Sequence, residues 1–432
     1  MDSFVEKQTE FLCDLWEECD GNGSSLSPLV PRHEKIANEE HLTDLLGWME
    51  NRMQQLPSDQ RGRQTFSDQL ISRAKLAGRK ILQFTDEQMD CLEQLGVTRV
   101  AGDFFRQARD FDPFLPFDSI FQASRNVWTC NYLQTLMGLP AVLTPSVFAY
   151  SMLYPVSDNF LDDPRRSVKD KIEFNDHFSA WLIGDEAVPA CWDEEDVRDL
   201  VRMIEIQYSR GNYPRVYESL LAIHKAQIKS LKMSKTSRRM EEREITAMTF
   251  EKGGTSVLAD GFLVAGDLSQ EEMEVIFNYG AFAQLMDDQE DIHDDLQAGS
   301  CTLFTNAYKR RNTGSLMDKV FQFSHLVLQG LNKFGNPTAL PLKQMSMKGI
   351  DFLLIDAIQR TAKYYPGSYL QTMEAYYPFR FEYMKRVKKE ISRKGFSMEH
   401  LLNLILPKRI CGLSLPASFR FEPRAEPLIN SG

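Results

Sequence analysis

Residues 280–295 read GAFAQLMDDQEDIHDD, an apolar stretch with helical periodicity that continues directly into acidic side chains. With about 100° of rotation per residue, Asp287, Asp291 and Asp294 fall within an arc of about 60° on one helix face. Carboxylates one turn apart repel each other, and negative charge near a helix C-terminus opposes the helix dipole. The stretch therefore predicts a helix whose acidic end requires a cationic partner.

Residues 150–166 repeat this arrangement with the sequence YSMLYPVSDNFLDDPRR. Asp158 and Asp162 lie about 40° apart on one helix face, with Asp163 at its edge. Mg²⁺ suits such a site, because it accepts one or two protein carboxylates and fills its shell with water and phosphate oxygens. A solvated acidic surface would explain one cluster but explains two less well, and the fixed glycine and glutamate of an EF-hand loop are missing.

The rest of the chain predicts an all-α fold, because alternating strand patterns are absent. Helical spacing of apolar residues recurs in residues 42–53, 66–84, 87–109, 117–137 and 382–389. Glycine and proline clusters separate these segments by short loops, as in a helical bundle. We expect residues 1–30 to form a polar arm or an extra helix, residues 31–406 a single all-α domain, and residues 407–432 an irregular tail.

Composition excludes some classes of function. The net charge of −11 and the pI near 5.3 argue against a general nucleic-acid-binding protein. The seven cysteines are scattered without a CxxC pair, which indicates reduced thiols rather than a disulfide framework. The N-terminus lacks the features of a secretory signal, and no apolar run reaches the roughly 20 residues that span a bilayer. We therefore expect a cytoplasmic protein.

The two acidic segments resemble the aspartate-rich motifs of class I terpenoid synthases. The first, Asp158-x-x-x-Asp162-Asp163, is similar to the first motif of squalene synthases. The second, in residues 282–291, is similar to the second motif of trans-prenyltransferases and of the large-terpene (tetraprenyl-curcumene-type) synthases. The motifs lie 129 residues apart, counted from Asp158 to Asp287. The resemblance implies a class I terpenoid synthase helical bundle around a central cavity.

The resemblance covers roughly residues 115–390 and implies a magnesium site with three ions around a bound prenyl diphosphate. The residues expected to bind metal are Asp158, Asp162, Asp163, Asp287, Asp288 and Asp291. The residues expected to be catalytic are Asp158, Asp162, Asp287 and Asp291. The residues expected to bind the diphosphate are Arg165, Arg166, Arg243, Lys252 and Gln284.

Several of these residues also have an ordinary structural reading. Lys252 precedes Gly253 and Gly254, a segment similar to the lysine-threonine-glycine segment of prenyltransferases. Two glycines can break a helix and expose backbone groups to a ligand, and an ordinary loop before a helix is the alternative. Arg165 and Arg166 suit a diphosphate, but a basic pair that caps the preceding helix is an equal alternative.

Further candidates come from other parts of the chain. Arg238, Arg239 and Arg243 lie where related cyclases carry a diphosphate-sensing arginine. Because magnesium prefers oxygen ligands, we expect His293 to lie outside the metal shell or to be exposed. Candidates for closing the site from a late helix are Arg360, Lys363, Tyr364 and Tyr365. Candidates for lining a hydrocarbon cavity, each also explained by core packing, are Phe148, Tyr150, Tyr154, Phe160, Phe250 and Phe282.

The sequence therefore favours a magnesium-dependent terpene synthase that ionises a prenyl diphosphate to form a hydrocarbon or an alcohol. Head-to-head or head-to-tail joining of prenyl chains remains an alternative within this class. A non-catalytic scaffold that binds a prenyl lipid is the alternative from another class. The expected partner is a prenyl diphosphate, without nucleic acid or a transmembrane segment, and a peripheral membrane contact and a homodimer stay open.

Overall fold

The structure of the protein is a computed structural model that describes residues 1–21, 26, 28–53, 59–234 and 240–393. These residues form eighteen α-helices and no β-strand, which confirms the all-α prediction for this part of the chain. The predicted tail in residues 407–432 and the candidates Arg238 and Arg239 lie outside the described residues.

The helices follow one another with short connections. The first nine are α1 (Asp2–Glu18), α2 (Arg32–Met53), α3 (Gln60–Ile81), α4 (Asp86–Gln94), α5 (Val97–Phe111), α6 (Phe117–Leu136), α7 (Pro145–Asp162), α8 (Val168–Ile183) and α9 (Trp192–Gln207). The other nine are α10 (Pro214–Ser234), α11 (Glu242–Ala265), α12 (Gln270–Glu290), α13 (Ile292–Ala298), α14 (Leu303–Lys309), α15 (Thr313–Gln329), α16 (Leu340–Arg360), α17 (Gly367–Tyr376) and α18 (Phe381–Arg393).

The expected single helix over residues 87–109 is wrong. Its sequence forms α4 and α5, which are separated at Gly96. Gly96 has a φ of 62°, a left-handed conformation that glycine adopts without steric cost. Thr85 caps α4 through a reciprocal capping box with Gln88, so the first of the two helices has a well-defined start.

Helix α11 is the centre of the bundle. Most of its residues from Thr249 to Val264 are buried, including Phe250, Leu258 and Phe262, each with no exposed surface. A helix that is apolar around its whole circumference has to be surrounded by protein. Accordingly, α11 packs against α1, α6, α7, α10 and α12.

The first helix belongs to this core. Of the two readings of residues 1–30, the structure shows an extra helix in residues 2–18, and α1 packs against α11, α12 and α15. Trp16 makes edge-to-face contacts with Phe250 and Phe323, at centroid distances of 6.1 and 5.5 Å. Aromatic pairs in this geometry stabilise a core beyond the apolar area that they bury.

Glycines set the distance between α11 and α12. A Cβ atom on Gly253 would lie 2.3 Å from the carbonyl oxygen of Gly280 and 2.5 Å from Cβ of Gln284. A Cβ atom on Gly280 would lie 2.2 Å from the carbonyl oxygen of Gly253. The expectation that Gly253 and Gly254 break a helix is therefore wrong. They lie inside a continuous α11, where the missing side chains let the two helix backbones touch.

We predict that Gly280→Ala destabilises the protein by at least about 1–3 kcal/mol, because its methyl group would overlap backbone atoms that side-chain motion cannot clear. Gly47→Ala is the matched control. Gly47 lies inside α2, and a Cβ atom there would meet nothing within 4 Å. The control should be neutral or more stable by roughly 0.5–1 kcal/mol. Chemical denaturation of both variants measures the difference, and an unchanged midpoint for Gly280→Ala would contradict the packing described here.

Candidate functional site

Two helices with acidic C-terminal ends flank α11. The Ser146 and Tyr150 hydroxyls of α7 donate to the carbonyl oxygens of Leu263 and Ser256, at 3.0 and 3.4 Å, so α7 runs antiparallel to α11. Helix α12 is also antiparallel to α11, since Thr249 bonds to Asp288 while Gly254, further along α11, meets Phe277, which comes earlier in α12. The C-termini of α7 and α12 therefore point in the same direction, toward the N-terminal half of α11.

Helix α6 contacts both α7 and α12. Its Asn126 donates to Ser151 of α7 at 3.1 Å, and its Arg125 donates to Asp287 of α12 at 2.9 Å. Tyr132 of α6 stacks on Tyr279 of α12, with centroids 5.5 Å apart. These contacts place both acidic segments at one end of a four-helix group formed by α6, α7, α11 and α12.

The second acidic segment lies where α12 ends. Asp287 has a side chain that is 44% exposed and that pairs with Arg125. Surrounding protein nevertheless raises its pKa, although Arg125 partly offsets this effect. Asp288 is buried; it accepts hydrogen bonds from Gln284 at 2.9 Å and from Thr249 at 3.2 Å. Burial raises the pKa of Asp288 to about 6.

Two more carboxylates extend this group. Burial raises the pKa of Asp291, and repulsion from Asp287 and its acidic neighbours adds to the effect. Burial also raises the pKa of Asp295, which lies with Asp294 in the first turn of α13. The end of α12 therefore concentrates more negative charge than the protein neutralises.

Lys252 supplies positive charge beside this group. It is half-buried on α11, and its ammonium group partly offsets the rise in the pKa values of Asp287, Asp288 and Asp295. The neighbouring Gly253 lets α12 approach, which brings Lys252 within electrostatic reach of the acidic end. The structure therefore brings Lys252 near the acidic end of α12, and its role in binding a diphosphate stays a prediction.

The first acidic segment ends α7. Asp158 is half-buried in the last turns of the helix, and Asp163 is the C-terminal cap residue. The side chain of Asp162 lies outside what the structure describes. Arg165 donates from its backbone and its guanidinium to Asp163, and this holds the pKa of the Asp163 carboxyl at about 2.

The arginines expected to bind diphosphate have protein partners. Arg165 pairs with Asp163 at 2.9 Å, while Arg166 pairs with Asp193 at 2.7 Å and lies over the ring of Phe160. Both arginines therefore lie just beyond the C-terminal end of α7, each paired with a carboxylate of the protein.

Arg243 is held at the start of α11. It donates to Asp14 and Glu17 of α1, each at 2.6 Å. These are exposed ion pairs, which contribute little to stability but fix where the guanidinium points. Arg243 is thus paired with α1, and the structure does not bring it to the carboxylates of α12.

Residues of α16 and the turn after it reach the acidic end from the other side. Arg360 pairs with Glu290 at 2.7 Å and with Asp356 at 2.9 Å. His293 is exposed, as expected, and hydrogen-bonds to Tyr364 at 2.7 Å. These contacts support α12 where it meets α13.

The remaining candidates have the following surroundings. Lys363 also contacts His293, at 3.0 Å, and Tyr365 accepts from Gln289 at 3.3 Å. Phe160 stacks on Phe174 at 4.3 Å. The candidates with no more than 2% of their surface exposed, which are core residues in this structure, are Phe148, Phe250 and Phe282. The side chain of Tyr154 lies outside what the structure describes.

Sequence reasoning missed two parts of this region. Arg125 is a lone arginine in α6 with no motif around it, so only the fold reveals its pairing with Asp287. Asp260 is 1% exposed, and its Oδ1 accepts from Asn126 at 3.0 Å and from the Cys130 thiol at 3.2 Å. This buried cluster joins α6, α7 and α11 through Asn126 and Ser151. An aspartate inside an apolar helical stretch is the one sequence signal that could have indicated it.

The metal prediction stays untested. Among the described residues, no three histidine, cysteine, aspartate or glutamate side chains are arranged to hold a metal ion. No helix in the described part of the chain is both long and apolar enough to cross a membrane. The six cysteines that the structure describes are free thiols.

Comparison with known proteins adds no assignment. No family model matches the chain, and no curated protein matches it.

The buried Asp260 makes stability depend on pH. Burial raises its pKa from 3.8 to about 7, so the folded state binds this proton more tightly than the unfolded state does. The free energy of unfolding contributed by Asp260 therefore falls as pH rises from about 4 to about 7. We predict that Asp260→Asn loses this dependence and gains stability relative to the native protein between about pH 5 and pH 8.

Denaturant midpoints across this pH range measure the effect. Asp118→Asn, an exposed aspartate of α6, is the control and should follow the native protein. Identical pH profiles for the native protein and Asp260→Asn would contradict the prediction.

Proposed function

We propose that this protein is a magnesium-dependent class I terpene synthase, which ionises a prenyl diphosphate and forms a terpene hydrocarbon or alcohol. One observation carries the proposal. Two antiparallel partners of α11, the helices α7 and α12, both end in carboxylates on the same side of a buried helical core. Lys252 and Arg125 lie next to the carboxylates of α12.

The donor set fits magnesium better than a softer metal. The side chains at the two helix ends offer carboxylate oxygens, and the nearby histidine is engaged with a tyrosine instead. Magnesium is usually bound by one or two carboxylates together with water and substrate phosphate oxygens. Such a site requires no closed cage of protein ligands. The residues that would hold it are Asp158, Asp162, Asp287 and Asp291.

Electrostatics support the binding of an anion together with a divalent cation. Burial and mutual repulsion raise the pKa values of Asp287, Asp288, Asp291 and Asp295, so their ionised forms are destabilised in the protein alone. When bound, magnesium would neutralise the charge that develops on the departing diphosphate. The cation would also relieve the repulsion between the carboxylates.

The cationic side chains then have a direct role. In the structure, Arg125 donates to Asp287 and so occupies one of the expected metal ligands. Asp287 would be among the residues that hold the metal, and the Arg125 guanidinium beside it would be placed to donate to a diphosphate oxygen. Lys252, on the neighbouring helix, would add a second charge to the same group. Both groups stabilise the leaving anion, while the apolar core excludes water from the allylic cation.

The direct test is turnover by the purified protein. It would be incubated with Mg²⁺ and farnesyl, geranylgeranyl or longer prenyl diphosphates, with diphosphate release and organic products both measured. We expect metal-dependent release and a terpene product. Joined chains would indicate a prenyltransferase instead, and no release from any substrate would favour a non-catalytic scaffold.

We predict that Asp287→Ala and Asp158→Ala each reduce the rate of diphosphate release at least about 100-fold, because each removes charge from the position where the leaving group is stabilised. Circular dichroism should show an intact helical fold. Glu271→Ala is the control, since Glu271 is exposed at the opposite end of α12. Near-native turnover by either aspartate variant would remove its helix end from the proposed site.

Magnesium should also stabilise the protein in a pH-dependent way. The raised pKa values mean that protons compete with the metal for these carboxylates. We predict that a fixed Mg²⁺ concentration raises the Tm more at about pH 8 than at about pH 5.5.

Thermal melts of the native protein and of Asp291→Asn would measure this, with Glu271→Gln as the matched control. Asp291→Asn should show a smaller magnesium effect. An equal shift at both pH values would contradict a site built from these carboxylates.

A further inference from the structure

A cavity lies against α16, between this helix and the elements near the start and the end of the described chain. Its volume is about 530 Å³, and its walls come from α2, α3, α4, α16 and the segment from the end of α17 into α18. None of its lining residues belongs to α6, α7, α11 or α12. The cavity is therefore separate from the region that carries the proposed function.

The walls of this cavity are apolar. The aliphatic and aromatic side chains that line it include Ile71, Leu82, Phe84, Leu92, Phe352 and Met384. Small residues of α3, at positions 74, 77 and 78, form part of the wall. At Gly78, a Cβ atom would lie 2.8 Å from the sulfur of Met89, so this wall has no room for a larger residue without moving Met89.

Every ionisable side chain in the cavity wall has a partner within the protein. Lys75 pairs with Asp90 at 3.0 Å and also with Glu93. Asp356 accepts from the Tyr377 hydroxyl at 2.6 Å and pairs with Arg360. A charged ligand would have to compete with these pairs, whereas an uncharged one leaves them intact.

These features indicate the class of ligand. Binding pockets for small molecules have volumes of roughly 300–1,000 Å³ and mainly apolar walls, and apolar cavities bind apolar molecules rather than water. We propose that this cavity is a second binding site, which takes an uncharged hydrocarbon chain. The proposal rests on the cavity alone and does not depend on the reaction proposed for the acidic site.

The experiment uses the full-length protein and Nile red, an uncharged probe whose fluorescence rises in apolar surroundings. Ala77→Phe places a ring in the cavity and should raise the Kd for Nile red at least tenfold. Ala74→Phe, at an exposed position on the same wall, should act in the same direction without burying the new ring in the core. Leu76→Phe is the matched control, because Leu76 is 46% exposed on α3 and does not line the cavity.

Competition then tests the chemistry of the ligand. Hexadecanol should displace Nile red from the native protein, and palmitate, which has the same chain length and a negative charge, should displace it at least tenfold less well. Thermal melts establish that each variant is folded. The proposal is overturned if the native protein does not bind Nile red, if folded Ala77→Phe and Ala74→Phe bind it like Leu76→Phe, or if palmitate competes as well as hexadecanol.

Discussion

The contact between the backbones of α11 and α12 sets the geometry of the region around it. Gly253 and Gly280 face each other so closely that neither position has room for a methyl group. Because α11 also packs against α1, α6, α7 and α10, a displaced α12 could not be accommodated by moving α11 alone. The contact therefore fixes how far the acidic end of α12 lies from Lys252, which is next to Gly253 in the chain.

The two acidic helix ends differ in how well the protein neutralises their negative charge. Asp163, at the end of α7, has an arginine two residues away, and its pKa is lowered. At the end of α12, Arg125 and Lys252 lie beside Asp287 and Asp288, yet the pKa values of these two aspartates are raised. A helix C-terminus is already an unfavourable place for negative charge. A divalent cation with an anionic ligand would stabilise this arrangement of carboxylates. The proposed function is therefore argued from the charges at this end of the bundle rather than from its shape.

The sequence allowed the helices and their acidic ends to be predicted because both depend on local spacing. Periodicity located the helix that contains Asp287 and the one that contains Asp158. It could not show that both run antiparallel to α11, since relative direction depends on tertiary contacts such as that between Tyr150 and Ser256. It also misjudged Gly253, because a glycine that breaks a helix and one that permits a close helix crossing look alike in one dimension. Arg125 was missed because it lies 162 residues from Asp287 in the chain, and only the tertiary structure brings the two side chains together.

Helix α16 connects the two regions of the molecule. Phe352, Asp356 and Arg360 follow one another at intervals of four residues, so they lie along one side of the helix over roughly 12 Å. The first two line the apolar cavity, and Arg360 binds both Asp356 and Glu290 at the end of α12. Coupling between two sites requires an element whose position both of them affect. Helix α16 is such an element in position, because it carries part of the cavity wall and also supports the end of α12 through Arg360.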